Sequence, residues 1–273
     1  MKKPYIFVIG NEKGGAGKTT CAMHLIAGLL DCGLKVARID TDSRQHSLTS
    51  YIKNRALYNQ KNPTHPVPES NHTLIKESSK EEEIAEFTQA LEDAMTSADV
   101  IVIDTPGSYS DLSCFVHSHA DTVVTPINDS FLDLDVMAKV NPEDLEIMES
   151  SIYSQMLWDQ KMARAKRDGA TIDWVVMRNR LSNLDAMNKR AVSDTLDRLS
   201  QRIGFRIAPG FSERVIFREL FLQGLTLMDI IKANYQKSLN MSHIAARHEL
   251  REFLKNLKID EILQSRGANY SCI

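Results

Sequence analysis

The stretch GNEKGGAGKTT, which runs from Gly10 to Thr20, decides how the rest of the sequence is interpreted. Its second half fits the phosphate-loop pattern G-x-x-x-x-G-K-[ST] at Gly17-Lys18-Thr19. The pattern places its first glycine five positions before Gly17, where this chain has Glu12. Beside that misfit stands Lys13, a second cation that phosphate binding by one chain does not explain. The stretch therefore predicts a phosphate loop with an unusual first half.

The residues on either side of the loop support that interpretation. Tyr5 to Ile9 is a short β-branched and aromatic run, which is typical of a buried strand. Cys21 to Leu30 has apolar residues at helical spacing. A loop between a strand and a helix can bind a chain of phosphates, because its backbone N–H groups donate hydrogen bonds and the helix N-terminus carries a partial positive charge. The predicted nucleotide-binding residues of the loop are Gly14, Gly15, Ala16, Gly17, Lys18, Thr19 and Thr20.

Acidic residues follow two other predicted strands and are candidate partners of the loop. Asp40 and Asp42 come after one apolar run, and Asp104 closes another. Because open α/β sheets bind ligands at the carboxyl ends of their strands, these carboxylates should face one crevice. In a phosphate loop, Lys18 reaches the terminal phosphates and the Thr19 hydroxyl ligates Mg²⁺. Taken singly, each aspartate is as well explained by helix capping or turn formation.

Apolar runs alternate with helical stretches along the chain. The predicted strands, beyond the first, are Val36–Ile39, Ala98–Ile103, Asp121–Pro126, Asp173–Met177 and Phe205–Ile207. The later predicted helices are Glu81–Thr96, Pro142–Lys166, Asp185–Arg202 and Lys237–Leu257. This alternation predicts an α/β fold with a mostly parallel sheet and helices on both faces. The proline-rich run Asn62–Asn71 reads as a surface loop, so one domain over residues 1–273 is expected.

The composition is that of a water-soluble protein. The 273 residues are 42% hydrophobic and 25% charged, with a net charge of −3, which gives no overall bias toward nucleic acid. No apolar run approaches the ~20 residues that a membrane span needs, and the C-terminal stretch lacks the basic face of an interfacial helix. The four cysteines form no C-x-x-C pair and predict reduced thiols. A cytoplasmic protein without membrane binding is expected.

The motif KGGAGKT resembles the deviant phosphate loop of the ParA/MinD superfamily, in which an early lysine is required and the first glycine is not. The resemblance implies a P-loop ATPase that forms a homodimer around two ATP molecules, with Lys13 crossing to the partner's nucleotide. It also implies Mg²⁺ held by Thr19 and, partly through water, by Asp42 and Asp104. Lys13, Lys18, Asp42 and Asp104 are the implied catalytic residues. Asn179 and Pro209 follow later strands at positions where relatives contact the nucleotide.

Further stretches are similar to the MipZ family, whose members regulate division-site placement in alphaproteobacteria. They include IDTDSRQHS, TPINDSFLDLD, DWVVMRNRL, GFRIAPGFSERVIFRELFLQGLTLMD and HIAARHELR. The similarity covers most of the chain and is weakest from Tyr58 to Lys80 and in the last dozen residues. It implies slow ATP hydrolysis, association with a ParB-like partition protein, inhibition of FtsZ assembly, and a nucleoid-associated, polar location.

A basic segment raises the question of DNA binding. Arg190, Arg198 and Arg202 lie on one face of a predicted helix, with Asp194 among them. Without the resemblance, a solvated helix face with ion pairs is the simpler interpretation. With it, non-specific duplex binding is expected, because the sequence has no recognisable base-reading motif. The predicted DNA-binding residues are Lys189, Arg190, Arg198, Arg202 and Arg218.

Four other functions fit the same fold. A ParA-type partition ATPase shares the loop, the dimer and DNA binding, and differs in its cargo. A MinD-like membrane ATPase needs a basic amphipathic tail that this sequence lacks. A metabolic ligase needs a pocket for a small substrate, which no motif in the sequence indicates. An iron–sulfur reductase needs two thiolates per protomer at a dimer axis, whereas only Cys114 lies near the expected switch region.

Overall fold

The computed structural model describes residues 2–128, 130–141, 146–180, 186–233 and 241–267, and only the backbone of residues 131–132 and 186–189. The described strands are β1 (Tyr5–Ile9), β2 (Val36–Asp40), β3 (Asn71–Leu74), β4 (Val100–Asp104), β5 (Thr122–Asn128), β6 (Ala138–Val140), β7 (Ile147–Ser150), β8 (Asp173–Asn179) and β9 (Arg206–Ala208). Seven of them form one sheet in the order β3-β2-β4-β1-β5-β8-β9, and every pairing in it is parallel. β6 and β7 form a separate antiparallel pair.

Helices cover both faces of this sheet. They are α1 (Lys18–Asp31), α2 (Ser47–Lys61), α3 (Lys80–Ser97), α4 (Asp111–His117), α5 (Phe131–Leu134), α6 (Ile152–Asp168), α7 (Ala186–Ile203), α8 (Val215–Leu222), α9 (Asp229–Lys232), α10 (Met241–Asn256) and α11 (Ile259–Arg266). Side chains of β1 alternate between two cores: Phe7 and Ile9 pack with α1, α2, α8, α10 and α11, whereas Ile6 and Val8 pack with α3, α4, α6 and α7. Because both faces are buried, β1 and the part of β4 before Asp104 are apolar or aromatic at every position.

The expected fold class is confirmed, and the expected strands are present with ends shifted by a few residues. The prediction of a helix from Pro142 to Lys166 is wrong in its first part, since β7 occupies Ile147–Ser150 and α6 begins only at Ile152. β3 was not predicted, because the edge strand NHTL is largely polar and lacks the apolar run by which the other strands were recognised. Among the described residues, no helix is both long and apolar enough to cross a bilayer.

Two of the four cysteines are free thiols, as expected: Cys21 is buried and Cys114 is partly exposed.

A buried ion pair joins α2 to the first residue of α9. The Arg55 guanidinium donates to both carboxylate oxygens of Asp229 at 2.8 Å and to the Gly224 carbonyl at 2.9 Å. Both side chains are almost completely buried, at 2% and 3% exposure. Removing one partner of such a pair leaves an uncompensated charge in the interior.

We therefore expect Arg55→Met to lower the free energy of unfolding by about 3–5 kcal/mol, measured by urea denaturation. Lys232→Met is the matched control, because Lys232 pairs with Asp31 at the surface, where such pairs contribute about 0–1 kcal/mol. Equal losses in the two variants would contradict this account of the buried pair.

Candidate functional site

The phosphate loop connects β1 to α1 and requires glycine at two positions. Gly15 and Gly17 have φ values of 75° and 92°, a left-handed conformation that favours glycine. A Cβ atom at Gly17 would also lie 2.2 Å from Nδ2 of Asn179. Asn179 donates from the same nitrogen to the Ala16 carbonyl at 2.8 Å, so the last residue of β8 supports the loop. The loop leads directly into α1, whose first residue is Lys18.

The sheet register brings the acidic residues to this loop. Asp104 at the end of β4 is level with Ile9 of β1 and Asp40 of β2. Gly107 follows β4 closely, and a Cβ atom there would lie 3.3 Å from both the Lys18 ammonium and the Gly14 nitrogen. The segment after Asp104 therefore packs directly on the phosphate loop. A ligand that binds in the loop would therefore be in a position to change the contacts of this segment.

Lys18 points back over its own loop. Its ammonium donates to the Lys13 carbonyl at 3.1 Å, and the side chain is largely buried. Burial lowers the pKa of Lys18, while the carboxylates of Asp104 and Asp42 oppose that shift. A cation held in this position is suited to the terminal phosphates of a nucleotide bound in the same chain.

Thr19 and Asp104 have the chemistry of a magnesium site. The Thr19 hydroxyl donates to Oδ2 of Asp104 at 2.9 Å, while Oδ1 of Asp104 is buried without a hydrogen-bond partner. In the described residues, no group of three or more His, Cys, Asp or Glu side chains could hold a metal. A metal here would therefore draw its remaining oxygen ligands from phosphate and water, as Mg²⁺ usually does. The orphaned carboxylate oxygen fits that role.

The protonation of Asp104 should couple to metal binding. Burial, together with the nearby Asp40, raises the pKa of Asp104 to about 7. A raised carboxyl pKa favours the protonated folded state, so the stability this group gives the nucleotide-free protein is lost as the pH rises through about 7. Mg²⁺ bound at this position would require the carboxylate form and would release that proton.

We expect the affinity for Mg²⁺–nucleotide to rise by up to about tenfold per pH unit below pH 7 and then to level off. Calorimetry in buffers of different ionisation enthalpy would count the released protons. Asp104→Asn removes the titrating carboxyl, so any pH dependence that remains in this variant comes from protonation of the nucleotide. If the affinity of Asp104→Asn depends on pH as that of the wild type does, the assignment to Asp104 is contradicted.

The two aspartates after β2 have different surroundings. Asp40 is fully buried, and its Oδ2 accepts from the backbone N–H and hydroxyl of Thr49 at 3.0 and 2.7 Å. It therefore fixes the start of α2. Asp42 is partly exposed, and its Oδ1 accepts from the N–H groups of Arg44 and Gln45 at 3.3 and 3.0 Å. Asp42 is the one with a carboxylate accessible from the crevice.

Lys13 makes a contact that the sequence did not predict. Its ammonium forms an ion pair with Asp133 of α5, whose side chain is 3% exposed, whereas that of Lys13 is 39% exposed. The other oxygen of Asp133 accepts from the Asn128 N–H at 2.7 Å. Within one chain, Lys13 is thus held to the side of the loop by a buried carboxylate. The D-x-D spacing after β5 was visible in the sequence, but nothing there linked it to the loop.

A cavity of about 610 Å³ opens beside the phosphate loop. It is lined by Gly17, Thr20, Asn179, Arg180, Phe211, Ser212, Glu213, Arg214, Phe217, Arg218, Phe221 and Leu222. Its position next to Gly17 and its aromatic side chains suit a nucleobase and ribose. Pro209 is exposed, two residues before Phe211. The sequence indicated Asn179 and Pro209 but missed the phenylalanines, which without the fold cannot be distinguished from core residues.

The predicted DNA-binding residues occupy two layers. Arg190, Arg198 and Arg202 are exposed on α7, which packs in the α3–α4–α6 layer. Arg218 lies on α8, on the opposite face of the sheet, and lines the cavity beside the loop. The Lys189 side chain lies outside the described residues. The structure therefore brings together the α7 arginines but not Arg218.

Comparison with known proteins identifies the family. The family model described as ATPase MipZ matches residues 5–261. The chain belongs to the MipZ family. The resemblance to ParA/MinD ATPases drawn from the sequence is thereby confirmed.

More distant relatives agree with this assignment. Maintenance of carboxysome distribution protein A of Halothiobacillus neapolitanus is 23% identical over 231 residues, covering 84% of this chain and 88% of that protein. An ATP complex of a Cyanothece McdA variant superposes with a TM-score of 0.61 at 17% identity, covering 98% of each chain. The septum site-determining protein MinD of Pyrococcus horikoshii, complexed with Mg-ADP, has a TM-score of 0.55 at 17% identity and covers 93% of this chain and 97% of its own. At such identities the structural likeness shows the fold.

Proposed function

We propose that this MipZ-family ATPase is an ATP-dependent dimerisation switch that positions the cell division site. In this proposal it inhibits FtsZ assembly near chromosome origins marked by a ParB-like partition protein. Family membership supports the role, and one observation supports the switch: the phosphate loop carries two lysines with different surroundings. Lys18 lies over its own loop, whereas Lys13 is held aside by Asp133.

The proposed active form is a homodimer that encloses two ATP molecules. Lys13 would leave Asp133 and enter the partner's site, where it would neutralise charge that develops on the phosphates during hydrolysis. Cationic fingers of this kind contribute about 10³–10⁵ in rate. Asp42 would orient the attacking water, and Asp104 and Thr19 would hold Mg²⁺, which neutralises phosphate charge when bound. The ADP product would lack the contacts that hold the dimer, so hydrolysis would return it to monomers.

Nucleotide binding is proposed from this chain's own loop and from the relatives' bound ligands. Of the relatives named above, the Cyanothece McdA variant is an ATP complex and the Pyrococcus horikoshii MinD is complexed with Mg-ADP. In this chain, Gly14, Gly15, Ala16 and Gly17 would wrap the phosphates, and the cavity beside Asn179 would take the base. Pro209 and Thr20 would border that site.

Non-specific DNA binding is proposed for the dimer, carried by Arg190, Arg198 and Arg202 on α7. Lys189 belongs to the same helix, and Arg218 would act separately from the other sheet face. Dimerisation would double this surface and make DNA binding dependent on ATP. Location in the cytoplasm, on the nucleoid and toward the poles would follow from DNA and ParB binding without any membrane contact.

Replacing Arg198 and Arg202 by alanine is expected to weaken duplex binding by the ATP-loaded protein at least about tenfold and to reduce its salt dependence, because fewer counterions are released. The measurement is filter retention or anisotropy over a salt series. The charge-matched control is the double variant Lys35→Ala and Lys166→Ala, which also removes two positive charges, at exposed positions outside α7. Unchanged affinity in the arginine variant, or wild-type binding that ignores salt, would contradict the assignment.

The experiment for the whole proposal is FtsZ polymerisation followed by light scattering. ATP-loaded protein should suppress the signal, and nucleotide-free protein should not. A ParA-type partition ATPase is the alternative, and it would show ATP-dependent DNA binding with no effect on FtsZ. That outcome would replace the division role and leave the nucleotide switch intact.

A further inference from the structure

A second cavity lies on the flank of the molecule, between α6 and the end of α7. It has a volume of about 320 Å³ and is lined by Ser150, Ser154, Gln155, Trp158, Lys161, Trp174, Arg202 and Ile203. Trp174 is the second residue of β8, and the carbonyl of Gly204, just before β9, contacts Lys161. These groups lie toward the amino ends of β8 and β9. The phosphate loop is at the carboxyl ends, so this cavity is separate from the nucleotide site.

Large apolar side chains of α6 are exposed, and one of them, Trp158, lines this cavity. Trp158 is 55% exposed and Met162, one turn further along α6, is 44% exposed. They lie on the side of the helix away from Tyr153 and Leu157, which are buried in the core. An exposed tryptophan next to a cavity is typical of a binding surface, because tryptophan is enriched at the energetic centres of interfaces.

The charged residues of the cavity have one sign. Lys161 donates to the Gly204 carbonyl at 3.0 Å and lies 5.7 Å from the centre of the Trp174 ring, and burial lowers its pKa. Arg202 donates to the Ile147 carbonyl at 2.9 Å. No acidic residue in the described part of the chain lines the cavity. The Asp173 carboxylate partly opposes the lowering of the Lys161 pKa, but it is already paired with Arg206. The cavity therefore carries a net positive charge from Lys161 and Arg202, which attracts an anion.

We propose that this surface, formed by Trp158, Lys161, Met162 and Arg202 around the cavity, docks a segment of a partner protein. The segment carries one or two carboxylates beside a large apolar side chain. The carboxylates pair with Lys161 and Arg202, and the apolar side chain packs on Trp158 and Met162 and enters the cavity. A nucleic acid would satisfy the cations but would leave the apolar rim against a charged polymer, so a protein segment is the better match. The surface shares Arg202 with the proposed DNA-binding face of α7 but includes no residue of the nucleotide site.

The test uses a displayed library of random twelve-residue peptides, selected on the full-length protein. The recovered binders should be rich in Asp or Glu together with Leu, Ile, Phe or Trp. The chain's two tryptophans, Trp158 and Trp174, both line the cavity, so a synthetic copy of a tryptophan-free binder should change intrinsic fluorescence saturably. Trp158→Ala and Lys161→Glu should each weaken binding at least about tenfold, which is the usual effect at an interface centre. Lys166→Glu, an exposed charge reversal on the same helix, should leave it unchanged.

Each remaining outcome would overturn the proposal. Binders that keep their affinity in both Trp158→Ala and Lys161→Glu occupy another surface. If the recovered peptides are basic, the charge argument is refuted. It is also refuted if no recovered peptide loses affinity in Lys161→Glu. If a short DNA duplex displaces the peptide, and the duplex itself binds less well to Trp158→Ala, the surface is a nucleic-acid site. Trp158 is exposed, so its alanine variant retains the fold even where Lys161→Glu does not.

Discussion

Lys13→Ala is expected to remain monomeric with ATP, to stay off DNA and to lose about 10³–10⁵ of the wild-type turnover, as loss of a catalytic finger does. The physical reason is that the closed dimer would place two ATP molecules, with their negative charge, between the protomers. Lys13 is the loop cation available to cross that interface, because Lys18 is engaged over its own loop. The measurements are phosphate release and sizing with ATP.

Asp133→Asn provides the matched control for this variant. It removes the ion pair that holds Lys13 within its own chain and yet keeps Lys13 itself. Asp133→Asn should therefore dimerise with ATP, whereas Lys13→Ala should not. If both variants stayed monomeric, the ion pair with Asp133 would be the important contact and Lys13 would have a structural role only.

Asp42→Ala is expected to have the opposite effect on assembly. Without the carboxylate that orients water, hydrolysis should slow by about 10²–10⁴, the usual contribution of such a group. ATP and both lysines remain, so the dimer should form, persist and accumulate on DNA. Sizing and DNA retention over time would measure this.

The comparison of two substitutions at position 42 separates chemistry from loop structure. Asp42 accepts two backbone N–H bonds in the turn before α2, at 3.3 and 3.0 Å. Asp42→Asn keeps an acceptor for those bonds and removes only the charge. The trapped dimer should therefore appear in Asp42→Asn as well as in Asp42→Ala. A trapped dimer in Asp42→Ala alone would indicate that a disordered turn, and not lost catalysis, stabilises the dimer.

The sheet and the phosphate loop could be predicted from the sequence because their signals are local. Apolar runs such as Ile101–Ile103 are buried on both faces, and the loop pattern lies between a strand and a helix. Asp104 was predicted by its place at the end of such a run. The same local reasoning failed for β3, since an edge strand is half solvated and has little apolar signal.

Other parts of the site depend on contacts between distant segments. Asp133 meets Lys13 across 120 positions of sequence, and Phe211 reaches the cavity only because β9 lies at the end of the sheet. Arg218 appeared to belong with the α7 arginines because they are close in sequence. The fold places α7 and α8 on opposite faces, so nearness along the chain was misleading there.

Mixing two inactive variants shows whether Lys13 acts on the nucleotide of the partner chain. Lys13→Ala keeps Asp42, and Asp42→Ala keeps Lys13, so a mixed dimer has one site with both groups only if Lys13 crosses between chains. We predict that neither variant releases phosphate at an appreciable rate alone and that their mixture does. A mixture as inactive as its separate components, although mixed dimers form, would show that Lys13 does not act on the partner's nucleotide.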